Sequence, residues 1–381
     1  MSNAEVFGWK ISKFINNSNY NFSREKILDV CGKDNVNDAF KIISNWENYN
    51  STPLLKLNKL SKKLNLKNIF YKDESKRFHL KSFKALGGAY AVEKITKGNK
   101  NITVATATAG NHGRSVSWGA QRLGLKCKIF ISEYVSESRA DVMRDLGADV
   151  IRVKGNYEAS LKECIKQSQM NGWEIIQDVA WEGYEEVPRL TMAGYSVMIK
   201  EISSQTDQYI THVFLQAGVG GMASGAIAGI AKYFKRIPKI IIVEPENADC
   251  VLQSVKEGEM KKIDIKKESI LGGMSCGEVS LVPWKILKNG VNNCISISDE
   301  NIAQTVAMLE QKYFCDDKVI AGECATPGII SLIAASEDKK IKDKLELNEK
   351  SNILLSRSVR WLQEEILNPN VFETVILHTE R

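Results

Sequence analysis

From about residue 100 the chain alternates short apolar runs with longer amphipathic stretches. The runs at 102–105, 127–131, 150–153, 174–176, 213–215 and 240–243 have the length and composition of buried strands. Between them, residues 113–123, 136–146, 157–170, 195–203 and 222–234 carry helical spacing. Strands alternating with helices predict right-handed βαβ units and a parallel sheet, hence an α/β fold. Ligands in such folds gather where strand carboxyl ends meet helix N-termini, so the chemistry is expected at those junctions. Residues 1–50 are polar and rich in Asn, and predict a partly ordered N-terminal cover. Thr52-Pro53-Leu54 opens the main fold.

The length of 381 residues allows one large or two ordinary domains with a buried core. The pattern places a smaller αβ unit at 93–189 inside a larger one built from 51–92 and 190–381. A content of 43% hydrophobic and 26% charged residues is that of a globular protein. The net charge of +6 is spread along the chain, and lysine pairs such as Lys261-Lys262 sit among acidic residues. That reads as a solvated face, so no nucleic-acid partner is expected. No stretch approaches the ~20 apolar residues of a membrane span, and no N-terminal apolar run resembles a signal peptide. The eight cysteines form no C-x-x-C pair. No metal site is expected, and reduced thiols in the cytoplasm are the simplest reading.

Four segments fall at strand-to-helix junctions or just past a strand. In Ser82-Phe83-Lys84, Ser82 can cap a helix whose first turn carries Lys84. There the helix dipole favours the neutral, nucleophilic amine that Schiff-base chemistry needs. By spacing alone Lys84 could equally be one of the many solvated helix lysines. In Thr108-Ala109-Gly110-Asn111-His112, free backbone N–H groups can hold a carboxylate, and Asn111 can donate to a phenolate oxygen. An ordinary glycine-rich connection is the alternative. In Gln216-Ala217-Gly218-Val219-Gly220-Gly221-Met222, closely spaced glycines let amides converge on a phosphate. Gly218-x-Gly220-x-x-Ala223, with Glu244 ending the next strand, also approaches a dinucleotide fingerprint and keeps a nicotinamide-dependent oxidoreductase open. Asp178 follows a strand, where a carboxylate can face a site, whereas Glu182, Glu185 and Glu186 read as capping or solvated. Cys276 has no evident histidine partner and reads as a small buried thiol. The Gly322-Glu323-Cys324 turn is a further candidate for facing a cofactor.

Taken together, several segments resemble the fold type II pyridoxal phosphate (PLP) enzymes, the tryptophan synthase β-like group. They are Lys72-Asp73-Glu74-Ser75, Phe83-Lys84, Gly110-Asn111-His112-Gly113-Arg114, Asp178 to Pro188, Gln216 to Ala223, Val243-Glu244-Pro245, Cys276-Gly277-Glu278 and Gly322-Glu323. Within that group the chain is similar to the diaminopropionate ammonia-lyase family, over about residues 50–355. The run Ala180-Trp181-Glu182-Gly183-Tyr184-Glu185-Glu186 is the most family-specific piece.

The resemblance implies two open, twisted, mostly parallel sheets flanked by helices, with PLP between the domains, in a homodimer. It implies that Lys84 bears the cofactor and takes the substrate's α-proton. Asn111 would contact the cofactor's 3′ oxygen, and the amides of Gly218, Val219, Gly220, Gly221 and Met222 would hold its phosphate. Thr108, Gly110, Asn111 and His112 would receive the carboxylate of a small amino-acid substrate, and Asp178 would face its amino groups. The implied reaction is α,β-elimination of ammonia from L-2,3-diaminopropionate, giving aminoacrylate, then pyruvate and a second ammonia. A β-amino group must leave protonated, and an anionic Asp178 would keep it so.

Two departures from the family pattern stand out. Ala109 replaces an Asp that the family associates with proton removal from the D-substrate, so L-selectivity is expected. After Leu355 the usual Ser/Thr-Glu-Gly segment is replaced by Ser356-Arg357-Ser358-Val359, which leaves Ser356 as the partner for the pyridine nitrogen. A serine/threonine dehydratase, a β-replacement synthase on the same fold, and a PLP-binding protein without turnover remain as alternatives.

Overall fold

The computed structural model describes residues 7–357. Among them are eleven strands: β1 (Lys13–Asn16), β2 (Leu54–Lys56), β3 (Asn68–Asp73), β4 (Thr103–Ala107), β5 (Lys126–Ser132), β6 (Asp149–Val153), β7 (Glu174–Ile175), β8 (His212–Gln216), β9 (Lys239–Pro245), β10 (Asn293–Ile297) and β11 (Asn352–Arg357). The larger sheet has the order β1-β10-β9-β8-β11-β3-β2 and the smaller one β6-β5-β4-β7. The smaller sheet is parallel throughout. In the larger one only the edge strands β1 and β2 run antiparallel. The run Ile240-Ile241-Ile242-Val243 in β9 is buried throughout, as a parallel strand covered on both faces requires.

The segment read as a partly ordered cover is more than that. Residues 13–16 are the edge strand β1, registered on β10. The helices Arg24–Cys31 and Lys33–Ile43 bury Ile27, Cys31, Val36, Ala39 and Ile43. Those apolar positions recur at helical spacing among Asn, Lys and Asp, so average polarity hides one apolar face. A second difference concerns 195–203, read as one helix. The chain forms two, Glu186–Tyr195 and Val197–Gln205. At their junction the Ser196 hydroxyl donates back to Ala193 O at 2.6 Å, the local competition by which serine interrupts helices.

Between β3 and the helix Lys84–Thr96 the backbone is strained: Phe78, His79 and Lys81 all have positive φ. Each left-handed non-glycine residue costs roughly 1–2 kcal/mol. A buried ion network holds the segment. Arg77 donates to Glu74 and to both oxygens of Glu201, at 2.7 to 2.9 Å. Lys72 donates to Glu201 Oε2 at 2.6 Å and to Thr52 O at 2.7 Å. The strained segment therefore leaves β3 from a fixed anchor and delivers Lys84 in a set orientation. No helix among the described residues is long and apolar enough to cross a membrane. The tail from Ser358 to Arg381 lies outside the described residues.

Candidate active site

The residues expected in the site converge on one cavity of about 560 Å³ between the two sheets, from Lys84 and the Thr108 to His112 turn to Asp178, the Gly218 to Met222 loop and Ser356. Lys84 is the first residue of its helix. Ser82 does not occupy the capping position, but its hydroxyl accepts from Lys84 N at 3.2 Å. The turn is also tied to the neighbouring helix Asn111–Leu123. Ser115 Oγ donates to Lys84 O at 2.6 Å and accepts from Ala89 N at 3.1 Å. The helices are in close contact here: a Cβ at Gly88 would lie 2.5 Å from Ser115 Oγ.

Lys84 Nζ donates to Asp178 Oδ2, and the two form an ion pair. Burial disfavours the Lys84 ammonium, but the Asp178 carboxylate outweighs it and raises the amine's pKa above the usual lysine range. The helix-dipole expectation of a neutral Lys84 is thus overturned in this arrangement, because a contact carboxylate acts more strongly than a partial charge at a helix end. Burial likewise opposes the charge on Asp178, and His112 and Lys84 overcome it, holding the carboxyl well below its ordinary range.

Asp178 is positioned by the segment that follows it. The Tyr184 hydroxyl accepts from Gln177 N at 2.8 Å and donates to Ile175 O at 2.7 Å. Trp181 stacks on Tyr184 with ring centres 4.1 Å apart. Glu182 and Glu186 are exposed, and Glu185 pairs with Lys285 and Arg189. His112 sits on the other side of Asp178. Its Nε2 lies 2.9 Å from Ile176 O, and a carbonyl only accepts, so Nε2 carries the proton. Nδ1 is buried without a hydrogen-bond partner, 3.8 Å from Asp178 Oδ2. Burial lowers the His112 pKa, and the facing Asp178 carboxylate opposes that shift.

The glycine loop joins β8 to the helix Gly221–Tyr233. Gly220 has φ +92°, a conformation that favours glycine. A Cβ at Gly221 would meet nothing nearer than Asp178 O at 4.0 Å, so open space lies directly over the helix N-terminus. A primary amine, a free helix N-terminus suited to a phosphate and room between them fit PLP. The dinucleotide reading fails at Glu244. Its two oxygens accept from Val251 N at 2.8 Å and Leu252 N at 2.7 Å, and the side chain is fully buried away from the cavity. This carboxyl caps the helix Cys250–Glu257 and has no face left for a ribose.

Thr108 Oγ1 accepts from Gly110 N at 3.2 Å, and Asn111 Oδ1 accepts from Arg114 Nη1 at 3.4 Å. Ala109 lines the cavity, so the position where the family pattern has Asp does face the site. Ser356 Oγ donates to Gln216 Oε1 at 3.2 Å, and Gln216 Nε2 donates to Ser356 O at 2.9 Å. Cys276 packs behind the loop, where a Cβ at Gly218 would lie 3.0 Å from its sulfur. Burial pushes its thiol up to about 11, which is not the behaviour of a nucleophile. Cys324 does line the cavity.

Sequence reasoning missed Tyr195 and Tyr157, both in the cavity wall. Tyr157 Oη accepts from Gln177 Nε2 at 2.8 Å, and burial pushes its phenol up to about 12. No local pattern marks either residue. The only signal for Tyr195 is indirect: a Cβ at Gly87 would lie 2.3 Å from its Cε1, so that glycine is required by a ring more than a hundred residues away.

The family model described as pyridoxal-phosphate dependent enzyme matches residues 46–354. The diaminopropionate ammonia-lyase of Escherichia coli (strain K12) is 35% identical over 332 residues, 81% of this chain and 83% of that protein. The diaminopropionate ammonia-lyase of Salmonella typhimurium is 32% identical over 363 residues, 86% of this chain and 88% of that one. A crystal structure of the Escherichia coli enzyme in complex with an aminoacrylate-PLP azomethine reaction intermediate superposes with a TM-score of 0.87, at 32% identity and covering 97% of this chain and 99% of that one. With the amine, the glycine loop and the open helix N-terminus already in place, these matches make the chain a member of the pyridoxal-phosphate dependent enzymes, in the diaminopropionate ammonia-lyase family.

Proposed function

We propose that this chain eliminates ammonia from L-2,3-diaminopropionate, and that it is selective for the L-isomer. The observation that carries the reading is the Asp178 carboxylate paired directly with Lys84 inside the cavity, where it is held below its ordinary pKa range. A carboxylate held below its ordinary pKa range is a partner for a second ammonium, and a β-amino group must be an ammonium in order to leave. PLP supplies the electron sink for the carbanion formed at the substrate's α-carbon.

The rest is done by the chain. Lys84 holds the cofactor and, once released from it, takes the α-proton. Asp178 keeps the leaving amino group protonated. The N–H groups of Gly218, Val219, Gly220, Gly221 and Met222 hold the phosphate, Asn111 contacts the ring oxygen, and Ser356 faces the ring nitrogen. A neutral serine there would leave the nitrogen of bound PLP unprotonated, which would suit elimination. Thr108, Gly110, Asn111 and His112 receive the substrate carboxylate. With Ala109 in the wall, Lys84 is the base for the L-isomer, and position 109 supplies no carboxylate for the opposite hand.

We infer further that the chain is a cytoplasmic homodimer; the cytoplasmic reading is supported by cysteines that form no disulfide among the described residues. Sedimentation of the purified protein checks the dimer. The reaction is tested by incubating the protein with L- and D-2,3-diaminopropionate. Pyruvate and twice as much ammonia are expected from the L-isomer alone. Equal turnover of the two isomers would overturn the selectivity, and no pyruvate from either would overturn the reaction.

A further inference from the structure

Tyr195 ends the helix Glu186–Tyr195 and forms part of the cavity wall beside Lys84. Its ring is fixed from several sides. A Cβ at Gly87 would lie 2.3 Å from Tyr195 Cε1, and one at Gly225 would lie 2.7 Å from Tyr195 Cβ. Phe83, the residue before Lys84, meets the ring edge-on with centroids 5.0 Å apart. Yet the phenol oxygen is buried and has no hydrogen-bond partner among the described residues. A buried, unsatisfied hydroxyl opposes folding. Phenylalanine would pack the same space without that cost, so the hydroxyl answers to a group that comes to it during the reaction.

Lys84 is the group placed to do so. Its Nζ lies 5.8 Å from the Tyr195 ring centre, near enough that each group shifts the other's titration. On its other side Lys84 is held by Asp178. If Asp178 binds the departing β-ammonium, as in the function proposed above, it can no longer hold Lys84. A carboxylate is also a poor partner for a base at work, because it fixes the amine as an ammonium. A neutral oxygen directs the amine without fixing its charge.

We propose that Tyr195 is a positioning residue that receives the Lys84 amine when Asp178 turns to the substrate, an inference that rests on the lyase reading. An N–H of the neutral Lys84 amine donates to Tyr195 Oη, which leaves the nitrogen lone pair free and aimed at the substrate. The α-proton then passes from carbon to Lys84 Nζ, the electron pair stays on carbon, and the resulting ammonium keeps its bond to Oη. Tyr195 holds its own proton throughout. The other titratable groups that act on Lys84 or feel it are Asp178, His112, Tyr157 and Cys276.

The test is Tyr195→Phe. The cofactor-free variant is expected to melt at or above the wild-type temperature, because the lost hydroxyl has no bond to lose. With cofactor bound, kcat for L-2,3-diaminopropionate is expected to fall roughly 10- to 100-fold with little change in KM. A second readout needs no turnover: acetylation of Lys84 in cofactor-free protein, followed across pH by peptide mass spectrometry. In an Asp178→Asn background, adding Tyr195→Phe is expected to move the labelling midpoint to lower pH by about half a unit, as loss of one neutral hydrogen bond would. A wild-type kcat in Tyr195→Phe, an unmoved labelling midpoint, or a clearly lower melting temperature would each overturn the proposal. If wild-type protein releases no pyruvate from the substrate, the lyase reading fails, while the labelling midpoint still reports on the Lys84–Tyr195 contact.

Discussion

Lys84 and Asp178 are 94 positions apart in sequence and form an ion pair inside the cavity. Each holds the other charged against burial, so the pair contributes stability over a defined pH window. Asp178 has a depressed pKa in the folded protein, so its contribution is present above the unfolded value of about 3.9 and is lost as pH falls through the folded one. Lys84 has a raised pKa, so its contribution is present below about 10.4 and is lost as pH rises through the folded value. Side-chain exposures of 26% and 16% screen the pair and place Asp178→Asn at about 1–3 kcal/mol of destabilisation, below the cost of breaking a fully buried pair. The stability difference between cofactor-free wild type and Asp178→Asn is expected to be flat from about pH 5 to 9 and to shrink in acid. Denaturant midpoints measured across pH give the answer, and a difference that grows as pH falls would contradict the pairing.

The same carboxylate separates amino from hydroxyl leaving groups. Asp178→Asn removes the charge but keeps the shape, so a β-ammonium loses its partner while a β-hydroxyl loses much less. kcat/KM for L-2,3-diaminopropionate is expected to fall by about two to four orders of magnitude, with a much smaller fall for L-serine. Steady-state pyruvate assays on both substrates decide it, and equal losses would assign Asp178 a general role instead.

Ala109 offers a gain of function. Restoring a carboxylate with Ala109→Asp places a second base in the cavity wall. Turnover of D-2,3-diaminopropionate is expected to rise by about 10- to 100-fold over the unsubstituted chain, while L-turnover changes little. If the D-isomer stays inert in a variant that still binds cofactor, the missing carboxylate is not what sets the selectivity.

The sequence made legible what depends on local order. Apolar runs separated by helical stretches revealed the parallel strands, and the glycines at 110, 218, 220 and 221 marked the junctions where the cavity opens. Strand ends were legible only to within a residue or two: β8 extends to Gln216 and β9 to Pro245, because polar residues at strand ends still complete the ladder. Contacts between distant residues left no local trace. Glu201 reaches Lys72 and Arg77 across 129 and 124 positions, so the network that anchors the Lys84 segment reads in sequence as scattered charges. Glu244 shows the converse error. It stands where a fingerprint wants an acid, but the helix that follows has already taken both its oxygens.

Ser115 ties the turn that bears Lys84 to the helix that begins at Asn111, and Gly88 exists to let it do so. The hydroxyl bonds both Lys84 O and Ala89 N, and a Cβ at Gly88 would lie 2.5 Å from it. Ser115→Ala loses both bonds inside a fully buried contact, which places the destabilisation at about 1–3 kcal/mol. Gly88→Ala overpacks the same point, and its destabilisation is also about 1–3 kcal/mol, partly offset by alanine's better helix propensity. The two changes relieve each other in part, because removing the hydroxyl opens the space the new methyl needs. The double variant is therefore expected to be more stable than the sum of the single effects by about 1 kcal/mol. Denaturant unfolding of the four proteins closes the cycle. Strict additivity would mean that the backbone moves apart at Gly88, in which case the spacing between Lys84 and Asn111 is not set by this contact.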